Sequence, residues 1–571
     1  MIEPEKLTFV KNKGVTSFLS RPIVVAIAVN LVLFSLFFLT FSPLFESNDD
    51  LTMMEIASGF RYDDPSEYLV FINVILGLIF KALYTAIPSF NWYIVVFYLI
   101  HFVSLSVTLS IFLKQNRAFF GAIVYLILFA FFEISFLANL QFTTTAMVAG
   151  CAGILSILDG GERLKETDWA TLIGGGLLII ISGWMRIRIF QLLMVLFLPL
   201  IFLRAIQTRQ VKTLLTVIFA GFIVLGTTLF HNAYYDRDPG WKHYRVYNSL
   251  RTQITDYPYA RYTDKTAPIY AAAGWSENDV SLYKNWIFLD QDVYALEDLQ
   301  YLTQRIRPEL QDFEDILDTL RKTIEEATLG RLSLSFFIAT GSLLLVHWHS
   351  KLTVSSVIGM TLAALGYLIY TARLPLRVLY SILYAVNLIL CFLLLKGSSS
   401  LAAVENRIAP HLWLKITGFL MVALLLLPSV FLELEDNIER IKAEEQAHIN
   451  AVTEELGTYD YLYGTATGPL KNLNLQLSLF PETQTNFESF YIGGWFVPSP
   501  IHNREIESYG VEANFSALIR DDLLIVAHRY HLSKLVISLK ENYQIDADFA
   551  PVIEIGDYVA YSLFETTSTG Q

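Results

Sequence analysis

Charge is scarce in this sequence. Only 17% of its 571 residues are charged, against about 25% in ordinary soluble domains. The balance is acidic, with 54 Asp and Glu against 41 Lys and Arg and a formal net charge of −13. That leaves no basic face for a phosphate backbone, so no nucleic-acid partner is expected. Cysteine is scarcer still. The two present, Cys151 and Cys391, lie inside apolar runs and can build neither a disulfide framework nor a CxxC metal site. They read as small buried side chains of membrane helices. GxSxG, P-loop and HExxH motifs are missing, as are internal repeats and low-complexity segments.

Apolar residues are present in excess, at 54%. They are gathered into runs of about twenty residues, the length that crosses a bilayer as a helix. A soluble cytosolic enzyme is excluded. Lys6, Lys11, Lys13 and Arg21 precede the first run, Pro22 to Ser42. It is too long for a signal-peptide core and no A-x-A site follows, so it is expected to be an uncleaved first span with its basic tail inside. The next stretch, Tyr68 to Ile87, holds Asn73, Lys81 and a terminal Pro88. It is expected to lie at the outer interface, because a charge at mid-bilayer is costly and because Lys114 and Arg117 then fall inside. Further spans are read at Trp92–Leu113, Phe119–Ala138, Phe142–Leu158, Trp169–Trp184, Phe190–Phe202, Leu214–Phe230, Leu332–His347, Leu352–Tyr370, Leu376–Leu395 and Leu412–Leu432. This makes about eleven crossings, with Arg163, Lys165, Arg204, Arg209, Lys212, Lys351, Lys396 and Arg407 inside and the C-terminus outside.

The expected fold is therefore an α-helical integral membrane protein with a C-terminal extracytoplasmic α/β domain. The membrane domain covers 1–432 and carries a first outer loop at 43–91 and a large outer insert at 231–331. The insert is expected to end in a helical pair interrupted at Pro308. The domain at 433–571 opens with a charged helix through Glu455 and continues with alternating segments Asp522–Ala527 and Tyr558–Phe564 around a helix at His531–Asn542.

The first loop is the densest polar signal outside these blocks: Glu46-Ser-Asn-Asp-Asp50, then Leu51-Thr-Met-Met-Glu-Ile-Ala-Ser-Gly59. Asn48, Asp49 or Asp50 would each cap a helix at Leu51–Ser58, which gives the acids a purely structural reading. The order of features also resembles the start of the large loop in GT-C membrane glycosyltransferases, most closely the protein O-mannosyltransferase and aminoarabinose-transferase branch. There an acidic pair follows the first membrane helix, with a small residue eight positions after the first acid; Asp49-Asp50 and Ala57 match that spacing. Pro65, Tyr68 and Phe71 match the turn and aromatic interfacial helix that follow. Tyr370-Thr-Ala-Arg-Leu-Pro375-Leu-Arg377 is similar to the Arg-Tyr-Leu-Leu-Pro segment opening a late span. This chain has Asp where Glu is usual, and no aromatic directly after Arg373.

The resemblance implies a GT-C-like fold, a polyprenyl-phosphate sugar donor and a bacterial cytoplasmic membrane. The acceptor would be a cell-wall polymer, a lipid-linked glycan or a protein. Such transfer needs one base to take the acceptor's proton and cations to neutralise the leaving phosphate. By the motif Asp49 is the better candidate base, with Asp50 orienting it, binding a sugar hydroxyl or exchanging roles with it. Arg186 with Arg188, and Arg373 with Arg377, fall on the same expected face; their planar forks suit a phosphate, and their plainer use is to snorkel to headgroups. Asn48 and Tyr68 complete the expected substrate contacts. No cofactor is required, and two adjacent carboxylates without further ligands do not support a divalent metal.

Other features have structural readings: a helix cap at Thr143-Thr-Thr145 after Gln141, interface anchoring at His347-Trp-His349, and an ectodomain core at Tyr244–Tyr262 that could also stack on sugars. Glu133, inside an apolar run, lines a cavity or sits near the interface. Two further function classes remain open: a polysaccharide polymerase or ligase with a diphosphate-linked donor held by the insert, and a lipid or solute transporter. The second lacks the two related halves and midplane charges usual in transporters.

Overall fold

A run of helices leads the chain: α1 (Pro22–Thr40), α2 (Asn48–Ser58), α3 (Val74–Ala86), α4 (Trp92–Leu113), α5 (Ala118–Ala138), α6 (Phe142–Gly161), α7 (Trp169–Met185), α8 (Ile187–Thr208) and α9 (Val211–Tyr235). The insert contributes α10 (Pro239–Thr255), α11 (Ala267–Ala272), α12 (Glu277–Lys284) and α13 (Leu296–Arg305), before α14 (Lys351–Tyr370) and α15 (Leu376–Leu401) return to apolar sequence. The computed structural model describes residues 21–60, 64–115, 118–161, 168–208, 211–256, 261–306, scattered positions between 314 and 342, 351–371, 373–401, 454–466, 479, 487–555 and 558–566. Lys6, Lys11, Lys13, Arg117, Arg163, Lys165, Arg209, Pro308, His347, His349, Arg407 and the expected span Leu412–Leu432 lie outside the described residues. So do most of Leu332–His347 and of the charged helix from Glu433.

Among the described residues eight helices are long and apolar enough to cross a membrane: α1, α4, α5, α6, α8, α9, α14 and α15. Their outer faces stay apolar, with Leu31, Phe219 and Leu362 each about two-thirds exposed, as expected for helices that meet lipid. The protein is a multi-pass membrane protein. Helix α3 starts at Val74, not Tyr68, because the Asn73 side chain accepts from the Ile75 N–H and fixes the N-terminus there. Its 13 residues reach about 20 Å, short of the roughly 30 Å hydrocarbon core.

Helix α6 is the centre of the bundle, its membrane segment wholly buried. It meets α7 where two glycines face each other. A Cβ on Gly153 would lie 2.7 Å from the Gly175 carbonyl oxygen, and one on Gly175 would lie 2.8 Å from that of Gly153. Only missing side chains let the backbones come this close. Inside the same bundle Glu133 is buried at the end of a π turn, Phe129–Glu133, in α5, with Oε2 3.4 Å from Nδ1 of His101. His101 Nε2 lies 3.1 Å from Thr145 Oγ1. Removing the carboxylate takes the nearest polar neighbour from buried His101 Nδ1, so Glu133→Ala is expected to cost about 1–3 kcal/mol, the scale of one buried polar group left unsatisfied. The check is thermal unfolding read by a thiol dye, since Cys151 and Cys391 are both buried and react only when the bundle opens.

The C-terminal part is a five-stranded mixed sheet. Two short strands early in the chain, β1 (Leu44–Phe45) and β2 (Asn139–Leu140), pair separately. The sheet itself holds β3 (Leu462–Thr465), β4 (Ser489–Tyr491), β5 (Leu523–Val526), β6 (Ala547–Ile555) and β7 (Tyr558–Glu565), in the order β4-β3-β5-β7-β6. β3 runs parallel to β4 and β5, while β7 is antiparallel to β5 and β6. Helices α16 (Pro500–Ser508) and α17 (Arg529–Tyr543) flank it.

The sequence reading treats the insert and the C-terminal block as two separate units; the structure joins them in one core. Trp275, Tyr283 and Phe288 from the insert are buried together with Phe490, Phe515 and Leu532. The sheet needs an apolar cover, and the insert's aromatic residues supply it. The join is also hydrogen-bonded. Ile287 bridges Gly493, the Leu289 N–H donates to the Ile492 carbonyl at 3.2 Å, and the Asp290 carboxylate accepts from the Tyr543 hydroxyl and the Phe515 N–H.

Candidate active site

The acidic loop is fixed by the parallel clip β1–β2, extended by the Glu46 N–H donating to the Leu140 carbonyl at 3.1 Å. This ties the start of α2 to the start of α6. Ser47 takes the N-cap position of α2, so Asn48, Asp49 and Asp50 occupy its first turn, and none of them caps Leu51–Ser58 as the sequence reading allows. Both acids sit where the helix dipole favours negative charge. Gly59 ends the helix in the left-handed conformation (φ 70°).

The two aspartates then part company. Asp50 turns inward and is fully buried, with Oδ1 accepting from the Tyr93 hydroxyl and from the Phe142 N–H, both at 3.0 Å. Gln141 Oε1 accepts from the N–H groups of Thr143 and Thr144. Asp50 is thus a cap, but of α6, a helix 92 residues further on. Burial pushes its carboxyl well above the usual range; Tyr93 opposes this and Asp49 adds to it. Because the folded state holds the proton more tightly, ionisation destabilises it as pH climbs above the ordinary carboxylate range. Asp50→Asn, an uncharged acceptor, is expected to leave the melting temperature at neutral pH unchanged or higher. Asp50→Ala should cost about 1–3 kcal/mol for each stranded donor. Thermal unfolding of both variants checks the pair.

Asp49 faces the other way, into a cavity of about 930 Å³. Its Oδ1 accepts a 2.8 Å hydrogen bond from Trp495 Nε1. Five arginines and two aspartates line this cavity. Arg186 is the one extended residue (φ −156°, ψ 104°) between α7 and α8, which aims its side chain inward. Its guanidinium carbon lies 5.0 Å from the Phe71 ring and 4.9 Å from the Phe142 ring, and it has no ion pair within 4 Å among the described residues. Burial pulls it down to about 10; Asp49 opposes, and Arg377, Arg188 and Arg373 add to the fall. Arg377 lies 3.7 Å from Glu46, and Arg188 donates to Gln191. Arg373 and Arg251 share Asp256, at 2.8 and 3.3 Å, with Arg251 lying over the Trp286 ring at 4.6 Å.

Of the expected site residues, Asn48, Asp49, Arg186, Arg188, Arg373 and Arg377 all line this cavity. Asp50 and Tyr68 do not. Asp50 is taken by its cap, and Tyr68 by a stack on Trp241, ring centroids 4.3 Å apart. The Tyr244–Tyr262 run divides. Arg251 reaches the cavity, Tyr244 and Tyr247 are core, and Arg245 pairs with Asp236. Sequence reasoning missed Trp184, His231, Asp256, Trp286 and Trp495, which line the cavity as well. His231 also serves α3, its Nδ1 accepting from the Val74 N–H. For Trp495 a local signal existed in Gly493-Gly494, a pair that marks a close backbone approach. Among the described residues no group of three or more His, Cys, Asp or Glu is placed to hold a metal ion.

An arginine-rich, aromatic-walled cavity with Asp49 facing into it, its other aspartate Asp256 being paired with arginines, suits an anionic ligand whose hydroxyl partner must lose a proton. No family model and no curated protein matches the chain. Two solved structures are similar to it: ArnT from Cupriavidus metallidurans in the apo state, 12% identical with a TM-score of 0.40 over 96% of this chain and 98% of that one, and ArnT from the same organism bound to undecaprenyl phosphate, 12% identical with a TM-score of 0.40 over 94% and 97%.

Proposed function

We propose that this protein is a membrane glycosyltransferase that moves a monosaccharide from a polyprenyl-phosphate donor to an acceptor hydroxyl outside the cytoplasm, with Asp49 as general base. One observation carries the reading: the Asp49 carboxylate and five arginines face a single cavity. The acceptor oxygen gives its proton to Asp49 and bonds to the anomeric carbon. The bond from that carbon to the phosphate oxygen breaks, and its electron pair stays on the phosphate, where Arg186 and its neighbours neutralise the growing charge. Phosphate leaves without being protonated, so one carboxylate suffices where glycoside hydrolysis usually needs two. Trp184, Trp286 and Trp495 give sugar rings flat apolar walls. The acceptor is a cell-wall polymer, a lipid-linked glycan or a protein.

A diphosphate-linked donor is the second reading, favoured by Arg251, the fifth arginine, which the insert brings into the cavity. The test is a panel of radiolabelled polyprenyl mono- and diphosphate sugars given to the purified protein with membrane-derived acceptors. Acceptor-dependent release from a monophosphate donor supports the first reading, and release only from a diphosphate donor supports the second. Label retained on every donor overturns both.

A further inference from the structure

Trp495 lies 446 residues from Asp49 in sequence, yet its indole nitrogen donates to one oxygen of that carboxylate. The contact is built. The segment carrying it runs against the insert, where the Gly494 N–H donates to the Trp286 carbonyl at 2.8 Å and the Tyr244 hydroxyl donates to the Trp495 carbonyl at 3.1 Å. A Cβ at Gly493 would stand 2.3 Å from the Trp286 oxygen, so only glycine permits this approach. Gly494, at φ 109°, makes the bend that delivers the next residue. The indole itself is nearly buried and packs against Phe71 at 4.7 Å, one of the two rings beneath Arg186. Asp49 Oδ1 is therefore occupied, and Oδ2 makes no hydrogen bond among the described residues.

We infer that Trp495 is a positioning residue for the transfer: its N–H holds Asp49 Oδ1 and presents Oδ2 to the acceptor hydroxyl. The inference rests on the proposed role of Asp49 as base. In the step, the O–H bond of the acceptor breaks, its proton goes to Oδ2, and the freed oxygen bonds to the anomeric carbon as the phosphate departs. A carboxylate with both oxygens free would rotate between orientations, only some of which meet the acceptor. The C-terminal domain thereby supplies part of the reaction centre.

The test is Trp495→Phe in the full-length protein, which keeps an aromatic ring beside Phe71 but removes the N–H along with one ring of the indole. Transfer is expected to fall about ten-fold at neutral pH, the scale of one hydrogen bond to a charged group. The donor KM should be unchanged, so that the whole loss falls on kcat. Trp495→His, which keeps a ring N–H, should recover part of the rate. Tyr244→Phe, which loosens the segment but spares the indole, should keep most of the rate. An unchanged kcat in Trp495→Phe, no recovery in Trp495→His, or an equal loss in Tyr244→Phe reduces Trp495 to packing and overturns the inference. Full activity in Asp49→Asn would instead overturn the role of Asp49 on which the inference stands.

Discussion

Asp49→Asn is expected to lower acceptor-dependent sugar transfer by about 100- to 10,000-fold, the usual worth of a general base. The melting temperature should stay within a degree or two, because an amide oxygen still accepts from Trp495. This contrast makes the variant informative. The neighbouring Asp50→Asn touches a buried cap and should keep most of its activity, since Tyr93 and Phe142 retain their acceptor. Two isosteric changes one residue apart thus have opposite expected outcomes, because one carboxylate faces the cavity and the other the core of the bundle. Labelled-sugar transfer and thermal unfolding on the same preparations read both. Equal loss in the two variants would mean that the loop acts only through its fold.

Arg186→Met carries the second large effect. The straight side chain keeps its place beside Phe71 and Phe142 but loses the charge and the fork. Transfer should fall by about 100- to 1,000-fold, the range found when one preorganised donor to a developing anion is removed. Stability should move the other way. Burial pulls the guanidinium down to about 10, so the folded state holds its proton less tightly than the unfolded chain and pays for the charge at neutral pH. Removing it is expected to raise the melting temperature while activity drops, the pattern of a site that keeps a strained charge for its ligand. A melting temperature that falls with activity would mark Arg186 as structural.

What the sequence made legible follows from how local each signal is. Runs of twenty apolar residues announce spanning helices by themselves, and the edges of α4, α5, α14 and α15 fall within a few residues of those runs. Arg186 and Arg373 were legible as cations at helix hairpins, and both line the cavity. The role of Asp50 was not, because its partner is the backbone of a helix 92 residues away. The stack of Tyr68 on Trp241 was not legible either, because that partner lies far along the chain. The shared core of insert and sheet was illegible for the same reason. Each half shows alternating or aromatic-rich sequence, and neither records which other half it will bury against.

The distance in sequence between Asp49 and Trp495 also sets an order in time. A growing chain would place Asp49 at the membrane early and reach Trp495 446 residues later, a delay of roughly 20–90 s at ordinary synthesis rates of about 5–20 residues per second. Throughout that interval the bundle can take up lipid and pack, but the Asp49 carboxylate lacks the indole that bonds to it. Completion of synthesis thereby fixes the moment at which the cavity can gain its last tryptophan wall.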